Sequence, residues 1–182
     1  RNYALKKCNV ELVTFLYCDD IWLDNKLEDQ KNLYLEGNEI VYGGYKIINK
    51  KGEETGKIHN DKKTFNTYDL LLYRRTISIG SVMVTKDIMT ENLFDERYQL
   101  MGDFELWFRL SLKYKFYNSG NIVELSRQHG KNISQVSKND LWDNERRMFY
   151  LDFFKHASIF KYPQIFIYIF LSVIQRIFLK KV

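Results

Sequence analysis

Short apolar, β-branched runs alternate with amphipathic segments along this chain, and this alternation restricts the possible folds more than any other feature. The runs at residues 9–17, 39–48 and 79–84 have the length and composition of strands. The segments at 21–35 and 102–113 carry leucines at helical spacing among charged residues, as amphipathic helices do. Strands that alternate with helices in this way predict an α/β chain.

The remaining segments predict shorter elements. Residues 1–8 are typical of the end of a helix, and Asn49-Lys50-Lys51-Gly52 predicts a hairpin turn that leads to a return strand at 53–59. The other predicted elements are a helix at 66–75, a loop with a short helix at 87–101, one or two strands at 116–128, and helices at 139–161 and 163–179.

Composition excludes several classes of protein. A length of 182 residues fits one domain with a proper core. The net charge of +5 comes from basic residues mixed with acids along most of the chain, so we expect no nucleic-acid partner. Cys8 and Cys18 cannot form a disulfide scaffold, and with three scattered histidines they make no zinc pattern, so a reducing compartment is expected.

An apolar run that ends in two acids is the most informative local feature. In Phe15-Leu16-Tyr17-Cys18-Asp19-Asp20, a strand would present carboxylates at the carboxyl edge of a sheet, where open α/β sheets bind ligands. Carboxylate oxygens suit Mg²⁺ or Mn²⁺, which bind substrate diphosphates. The alternative is that one of the two aspartates caps the following helix.

A second acid, Asp103, lies in the first turn of the predicted helix at 102–113. The helix dipole favours the ionised form of an acid at this position. On these residues alone, Asp103 is either a chemical group or a simple helix cap beside a packed Trp107.

The C-terminal segment 163–182 is strongly apolar. Residues 165–171 are all apolar, and Lys180-Lys181 follow the run. The apolar stretch is shorter than the ~20 residues that cross a bilayer, and Gln175 and Arg176 interrupt it. The pattern favours a helix at a membrane surface, with packing on its own domain and a membrane span as alternatives.

Several short motifs occur in a fixed order. They are Arg1-Asn2, Phe-Leu-x-x-Asp-Asp-Ile-Trp-Leu-x-x-Lys-Leu-x-x-Gln at 15–30, Gly80-Ser81-Val82-Met83, Phe94-Asp95-Glu96, Gly-Asp-Phe-Glu-Leu-Trp-Phe-Arg-Leu at 102–110, and Arg127-Gln128-His129 followed by Asn132-Ile133-Ser134. Together they resemble family 2 glycosyltransferases of the GT-A fold, over residues 1 to about 135. The resemblance implies a mixed, mostly parallel Rossmann-like sheet with flanking helices, followed by amphipathic C-terminal helices.

The resemblance also implies a donor site. Asp19 would bind a divalent cation, Mg²⁺ or Mn²⁺, at the diphosphate of a nucleotide sugar, and His129 would complete the metal site. Arg1, Asn2, Asp19 and Asp20 would lie on the donor side. The first acid of the family's Asp-x-Asp motif falls on Tyr17, whose phenol has an ordinary pKa near 10 and is a poor ligand for a hard metal, so the cation site is expected to be weakened, rearranged or lost.

Catalysis is implied at the second acid. Asp103 would act as general base on the acceptor hydroxyl, with Gly102 in place of the glutamate that precedes it in the family. The residues implied on the acceptor side are Gly80, Ser81, Trp107 and Arg109. Alternatives remain for them: an ordinary bulge at the glycine, a core position for the tryptophan, and an acidic partner for the arginine.

The implied function is inverting transfer of a sugar from a nucleotide-sugar donor to a glycan or lipid-linked acceptor, as in cell-envelope polysaccharide synthesis. Residues 1–138 would form the C-terminal part of the transferase domain and 139–182 a helical tail, cytoplasmic and peripheral at the inner face of the plasma membrane. The rival interpretation, favoured by Tyr17 and Gly102, is a catalytically degenerate binding module at the membrane surface.

The first two residues also resemble a motif of the family. Arg1-Asn2 matches the middle of the family's nucleotide-binding half, so the N-terminal βαβ part is expected to be missing. We therefore expect the isolated chain to be poorly soluble or inactive.

Overall fold

The computed structural model describes residues 1–60 and 77–156, together with Pro163, Phe166 and Ile167. In chain order its elements are α1 (Asn2–Lys7), β1 (Leu12–Thr14), β2 (Ile21–Trp22), α2 (Lys26–Leu35), β3 (Ile40–Asn49), β4 (Glu54–His59), a 3₁₀ turn (Ile79–Ser81), β5 (Val82–Thr85), α3 (Lys86–Glu91), α4 (Gly102–Ser111), β6 (Tyr117–Gln128), α5 (Ile133–Val136) and α6 (Asn139–His156). The predicted helix at 66–75 and nearly all of the one at 163–179 lie outside the described residues.

One mixed sheet organises the molecule. Its strand order is β1-β5-β3-β6-β2, and β4 pairs with the other part of β3. The predicted α/β class with flanking helices is confirmed, but the expectation of a mostly parallel sheet was wrong. Of the pairings between described strands, only β3–β6 is parallel. The turn from β3 to β4 is too short for a parallel crossover, and β1 and β2 are edge strands of three and two residues that run back along their neighbours.

The parallel pair fixes where the predicted site residues meet. Asn49 and Gln128 are paired at the carboxyl ends of β3 and β6. On the other side of β6, Ile21 of β2 is paired with Leu125. The turn before β2 therefore lies beside the carboxyl end of β6, and the aspartates of that turn come next to the residues that follow β6.

The main core lies between the sheet and helices α1, α3 and α4. Its buried side chains are mostly aliphatic and aromatic residues: Leu5, Ile40, Tyr42, Ile77, Ile79, Val82, Val84, Ile88, Met89, Phe94, Leu106, Trp107, Leu110 and Phe116. A second, aromatic cluster joins α4 to α6 and is made of Tyr98, Phe108, Phe149 and Phe153. Among the described residues, no helix has both the length and the apolar character needed to cross a bilayer.

Several predicted elements differ from the structure. The helix expected at 21–35 begins only at Lys26, after β2, and the strand expected at 79–84 begins with the 3₁₀ turn. Of the expected strand at 9–17, only Leu12–Thr14 is a strand, and it is half-buried because it lies at the edge of the sheet. In α2 the expected apolar face is reversed: Leu27 and Leu35 are exposed, whereas Lys26 and Gln30 are fully buried. The side chains of these two polar residues donate to backbone carbonyls of the segment that enters β5, which explains their burial.

Candidate functional site

Asp19 and His129 meet beside the carboxyl end of β6, although 110 residues separate them. The Nε2 atom of His129 lies 3.1 Å from Oδ2 of Asp19, and each side chain is about one-third exposed. The backbone N–H of Lys131 donates to Nδ1 of His129 at 3.2 Å. Because Nδ1 accepts, the neutral ring carries its proton on Nε2 and donates it to the carboxylate.

Arg127 holds the turn that contains the two aspartates. Its backbone N–H donates to Oδ1 of Asp20 at 2.7 Å, and its side-chain Nε donates to the carbonyl oxygen of Asp19 at 2.8 Å. Its Nη1 also donates to the carbonyl of Asn49 at 3.2 Å. One arginine therefore connects the aspartate turn, the end of β3 and the end of β6.

Asn132 closes the loop after β6. Its Nδ2 donates to the carbonyl of Arg127 at 2.8 Å, and its Oδ1 accepts from the backbone N–H of His129 at 2.9 Å. The predicted motif of arginine, histidine and asparagine thus forms one hydrogen-bonded loop that fixes the histidine ring in front of the aspartate.

The donor set at this pair suits a small divalent cation only in part. Neighbouring ligands of an octahedral ion with bonds near 2.1 Å are about 3.0 Å apart, close to the separation of the two atoms here. The described residues contain no group of three or more His, Cys, Asp or Glu side chains that could hold a metal. Tyr17, where the resemblance implies an acid, has a pKa raised chiefly by partial burial and stays neutral. The chain therefore offers two ligands, and water or substrate oxygens would have to supply the rest.

Beneath the aspartate turn lies a buried acid that sequence reasoning missed. Glu124 is 0% exposed, accepts from Oγ of Ser78 at 2.9 Å, and has no hydrogen-bond partner for Oε2 among the described residues. Burial raises the pKa of Glu124 to about 7, and the negative charge of Asp20 adds to the shift. The signal in the sequence was a single charged residue in the otherwise apolar run of Ile122 to Leu125.

Lys26 is the buried base opposite this acid. Its Nζ donates to Oε1 of Gln30 at 2.6 Å and lies 5.1 Å from the centre of the Trp22 ring. Burial lowers the pKa of Lys26 to about 8, whereas the charge of Glu124 acts in the opposite direction. Lys26 and Glu124 thus act on one another electrostatically, and burial shifts the pKa of the acid upward and that of the base downward.

Position 80 has no room for a side chain, because the carboxyl group of the buried Glu124 lies against the backbone of Gly80. A Cβ atom at this position would lie 2.7 Å from Cδ of Glu124, closer than packed atoms approach. Gly80 and Ser81 are both buried, and the carbonyl of Gly80 accepts from Nε1 of Trp22 at 3.1 Å. The structure thus gives the glycine an internal role, and the predicted acceptor contact of these two residues stays a prediction.

Asp103 lies in the first turn of α4 and is half-buried. Its Oδ1 accepts from the backbone N–H of Phe104 at 2.8 Å. Burial raises the pKa of Asp103, and the positive charge of Arg1 opposes this shift. The carboxylates of Asp103, Asp20 and Asp19 all act on the phenol of Tyr17, so the structure brings both predicted acidic sites to one region.

The two other helix residues predicted on the acceptor side face inward or are paired. Trp107 is 1% exposed and its Nε1 donates to the carbonyl of Ile77 at 3.2 Å, which is the core position of the alternative interpretation, and its acceptor contact stays a prediction. Arg109 binds both carboxylate oxygens of Glu105, at 2.8 and 3.1 Å, and also donates to the carbonyl of Leu93 at 2.9 Å. Its acidic partner confirms the alternative interpretation for the arginine.

Arg1 and Asn2 connect α1 to the Phe94-Asp95-Glu96 motif. The Arg1 guanidinium lies 4.5 Å from the centre of the Phe94 ring. The Asn2 side chain donates to the carbonyl of Phe94 at 2.8 Å and accepts from its N–H at 3.0 Å. Both residues are thus engaged within the chain, and their predicted donor contacts stay predictions.

The chain is related in sequence to proteins named glycosyltransferases. It is 32% identical over 148 residues to the UDP-Glc:alpha-D-GlcNAc-diphosphoundecaprenol beta-1,3-glucosyltransferase WfgD of Escherichia coli, covering 81% of this chain and 56% of that protein. It is 30% identical over 146 residues to an uncharacterized glycosyltransferase of Rickettsia felis, covering 76% of this chain and 24% of that protein. The chain thus spans about half or less of the length of these curated relatives. No protein-family model matches it.

The fold is shared with a protein of known structure. S. aureus TarS 1–349 in complex with UDP-GlcNAc matches 90% of this chain and 49% of its own length, with a TM-score of 0.64 and 16% identity. The complex of the same protein with UDP matches with a TM-score of 0.62 and 15% identity. At this identity the likeness establishes the shared mixed α/β fold.

Proposed function

We propose that this chain belongs to an inverting, family 2 glycosyltransferase of the GT-A fold that moves a sugar from a nucleotide-sugar donor to a glycan or lipid-linked acceptor. The observation that carries the proposal is that Asp19 lies 3.1 Å from His129 while the charges of both Asp19 and Asp103 act on the phenol of Tyr17. The relatives support the substrate class, because one is named for a UDP-glucose donor and a lipid diphosphate acceptor, and the structural neighbour was solved with UDP-GlcNAc.

Asp19 and His129 are the residues that would hold a divalent cation, Mg²⁺ or Mn²⁺. When bound, such a cation neutralises the charge that builds up on a departing diphosphate. His129 would first have to give up the Nε2 proton that it now donates to Asp19. Lys131, whose N–H occupies Nδ1, keeps Nε2 as the nitrogen that faces the site. With Tyr17 in place of an acid, we expect weaker metal binding than a two-carboxylate site would give.

Asp103 is the proposed general base. As the acceptor oxygen forms its bond to the anomeric carbon, the bond from that carbon to the diphosphate oxygen breaks, and Asp103 takes the hydroxyl proton. A single displacement of this kind inverts the anomeric centre. Burial raises the pKa of Asp103, which makes its carboxylate a stronger base than an exposed aspartate.

The test is a transfer assay on the protein at its full natural length. Release of UDP from UDP-glucose and UDP-GlcNAc is measured with polyprenyl-diphosphate-linked sugar acceptors, with and without Mn²⁺. Asp103→Asn keeps the size of the side chain and removes its basicity, so we expect transfer to fall by about 10²–10⁴-fold. Asp87→Asn is the matched control, because Asp87 is also an acid in the first turn of a helix but is exposed. Equal rates for wild type and Asp103→Asn would contradict the proposed role.

A binding module without catalysis is the second candidate, and Tyr17 and Gly102 favour it. It predicts that the protein binds the nucleotide or the glycan and releases no UDP under any condition. If UDP binds neither with nor without Mn²⁺, the transferase proposal fails.

We further propose that residues 163–182 bring the protein to the inner face of the plasma membrane as a peripheral, cytoplasmic enzyme. The support is the apolar run at 165–171 followed by Lys180-Lys181, which would suit acyl chains and anionic headgroups. Flotation with phosphatidylglycerol-containing liposomes, with and without these residues, tests it. Equal flotation of the two proteins would contradict a membrane role for the segment.

A further inference from the structure

Glu145 makes the most concentrated set of hydrogen bonds to the backbone near Asp103. It lies on α6 and is 2% exposed. One carboxylate oxygen accepts from the N–H groups of Gln99 and Leu100, at 2.7 and 3.2 Å. The other accepts from Leu100 and Met101, at 3.0 and 2.8 Å. A single buried carboxylate therefore satisfies three consecutive backbone donors.

These donors belong to the turn from which α4 begins. Met101 is the residue before the helix, and its carbonyl accepts the first helical bond, from the N–H of Glu105 at 2.8 Å. Asp103 is two residues further on. Because three N–H groups in a row point at one carboxylate, the direction in which the chain enters α4 is fixed, and with it the backbone position of Asp103.

The position of the carboxylate is itself fixed by packing. One helical turn after Glu145, the Phe149 ring lies edge-on to Phe108 with ring centres 5.1 Å apart and packs against Phe104 at 5.3 Å. On the same helix, Asp152 accepts from the guanidinium of Arg97 at 2.7 Å, just before the turn. Helix α6 therefore holds the segment that precedes α4 at two places.

We infer that Glu145 is a positioning residue for the proposed transfer: it holds the 99–101 turn so that Asp103 meets the acceptor hydroxyl. This inference rests on the proposed function of Asp103. It also assigns a task to α6, which lies beyond the part of the chain that carries the family motifs. Removing the carboxylate would leave three backbone N–H groups of the turn without their acceptor, and the turn would be free to shift.

Two measurements distinguish a Glu145 that positions the 99–101 turn from a Glu145 that only stabilises the fold. Amide hydrogen exchange at 99–101 reports the turn directly and needs no enzyme activity. In Glu145→Ala we expect exchange there to accelerate at least about 10-fold, with smaller changes in the β3–β6 pair. Transfer kinetics report the consequence: kcat falls by about 100-fold while the KM for the nucleotide sugar stays unchanged, because Asp19 and His129 do not depend on this turn.

The matched control is Phe149→Leu, which loosens the same helix interface and leaves the carboxylate in place. Because Phe149 also helps to place the carboxylate, we expect it to lower the melting temperature and to reduce kcat much less than Glu145→Ala does. Glu145→Gln keeps one acceptor oxygen and should recover part of kcat and of the amide protection, and it serves as the test variant if Glu145→Ala does not fold.

Different results would contradict the role of Glu145 and the proposed function. Unchanged exchange at 99–101 in the Glu145 variants would overturn the inference, and so would fast exchange with an unchanged kcat. A kcat lost equally in Phe149→Leu would reduce Glu145 to a stability role. If the wild-type protein transfers no sugar, the proposed function fails, and the exchange result alone then decides whether Glu145 holds the turn.

Discussion

The buried carboxyl of Glu124 makes folding stability depend on pH in a direction that can be worked out. Its pKa is about 7 in the folded protein against 4.5 for an ordinary glutamate. An acid whose pKa is raised by folding stabilises the fold fully below its unfolded pKa, and this stabilisation disappears as pH rises through the folded value. Stability should therefore fall between about pH 4.5 and pH 7.

The size of the effect follows from the shift. A difference of roughly 2.5 pKa units, at 1.36 kcal/mol for each unit, corresponds to about 3 kcal/mol of unfolding free energy. Glu124→Gln removes the titration while its amide oxygen can still accept from Ser78. Urea unfolding of wild type and Glu124→Gln, measured from pH 4.5 to pH 8, gives the difference between them. Titrating groups that do not interact with Glu124 behave alike in both proteins and cancel in that difference, whereas the response of Lys26 and Asp20, which do interact with it, is part of the measured effect.

We expect the wild type to lose about 3 kcal/mol relative to Glu124→Gln over this range. Glu28→Gln is the control, since Glu28 is an exposed glutamate on α2 and its replacement should follow the wild-type curve. A difference between wild type and Glu124→Gln that does not change with pH would refute the reasoning, because it would mean that the pKa of Glu124 is the same in the folded and the unfolded protein.

Three further predictions test the core, the glycine and the aspartate turn. Trp107→Ala should lower the unfolding free energy by about 3–5 kcal/mol in urea unfolding, because the indole is fully buried, and a loss below about 1 kcal/mol would contradict its core role. Gly80→Ala should lower the unfolding free energy by about 1–3 kcal/mol, because the added methyl group would collide with the Glu124 side chain. The loss should be smaller in a protein that also carries Glu124→Ala, and strictly additive effects of the two changes would argue against this collision. Arg127→Met should weaken Mn²⁺-dependent UDP binding by about 10-fold or more, because the turn that carries Asp19 loses the side chain that holds it. Calorimetry with and without Mn²⁺ measures this, and an unchanged dependence on Mn²⁺ would refute the prediction.

The sequence predicted a large part of this architecture. The α/β class, α1, the hairpin after β3, the start of α4 at Gly102, and the strand that ends at Gln128 all follow from local patterns. The resemblance also predicted that Asp19 and His129 lie together, and they are in contact. Their binding of a metal remains a proposal.

The rest could not be read from local patterns, because it depends on which elements meet. Helical periodicity predicted an apolar face for α2, but the buried positions are Lys26 and Gln30, whose donors satisfy carbonyls of a neighbouring segment. The direction of the strands was mistaken for a similar reason. Alternation of helix and strand indicates a class, whereas the order and direction of pairing are set by long-range contacts that the sequence does not display.

The hydrogen bonds between Glu145 and the 99–101 turn are another long-range contact that local sequence patterns do not predict. A glutamate on a polar helix is ordinarily exposed, and no spacing connects it with a turn more than 40 residues earlier. Only the packing of α6 on α4 brings the two together.

The most direct test of the central claim is the single-turnover rate of sugar transfer by Asp103→Asn at saturating nucleotide sugar, with UDP affinity measured on the same protein. The account predicts that UDP binds as tightly as it does to wild type, because Asp19 and His129 are intact, while transfer is slower by at least about 100-fold. Transfer at the wild-type rate would contradict the assignment of Asp103 as the general base.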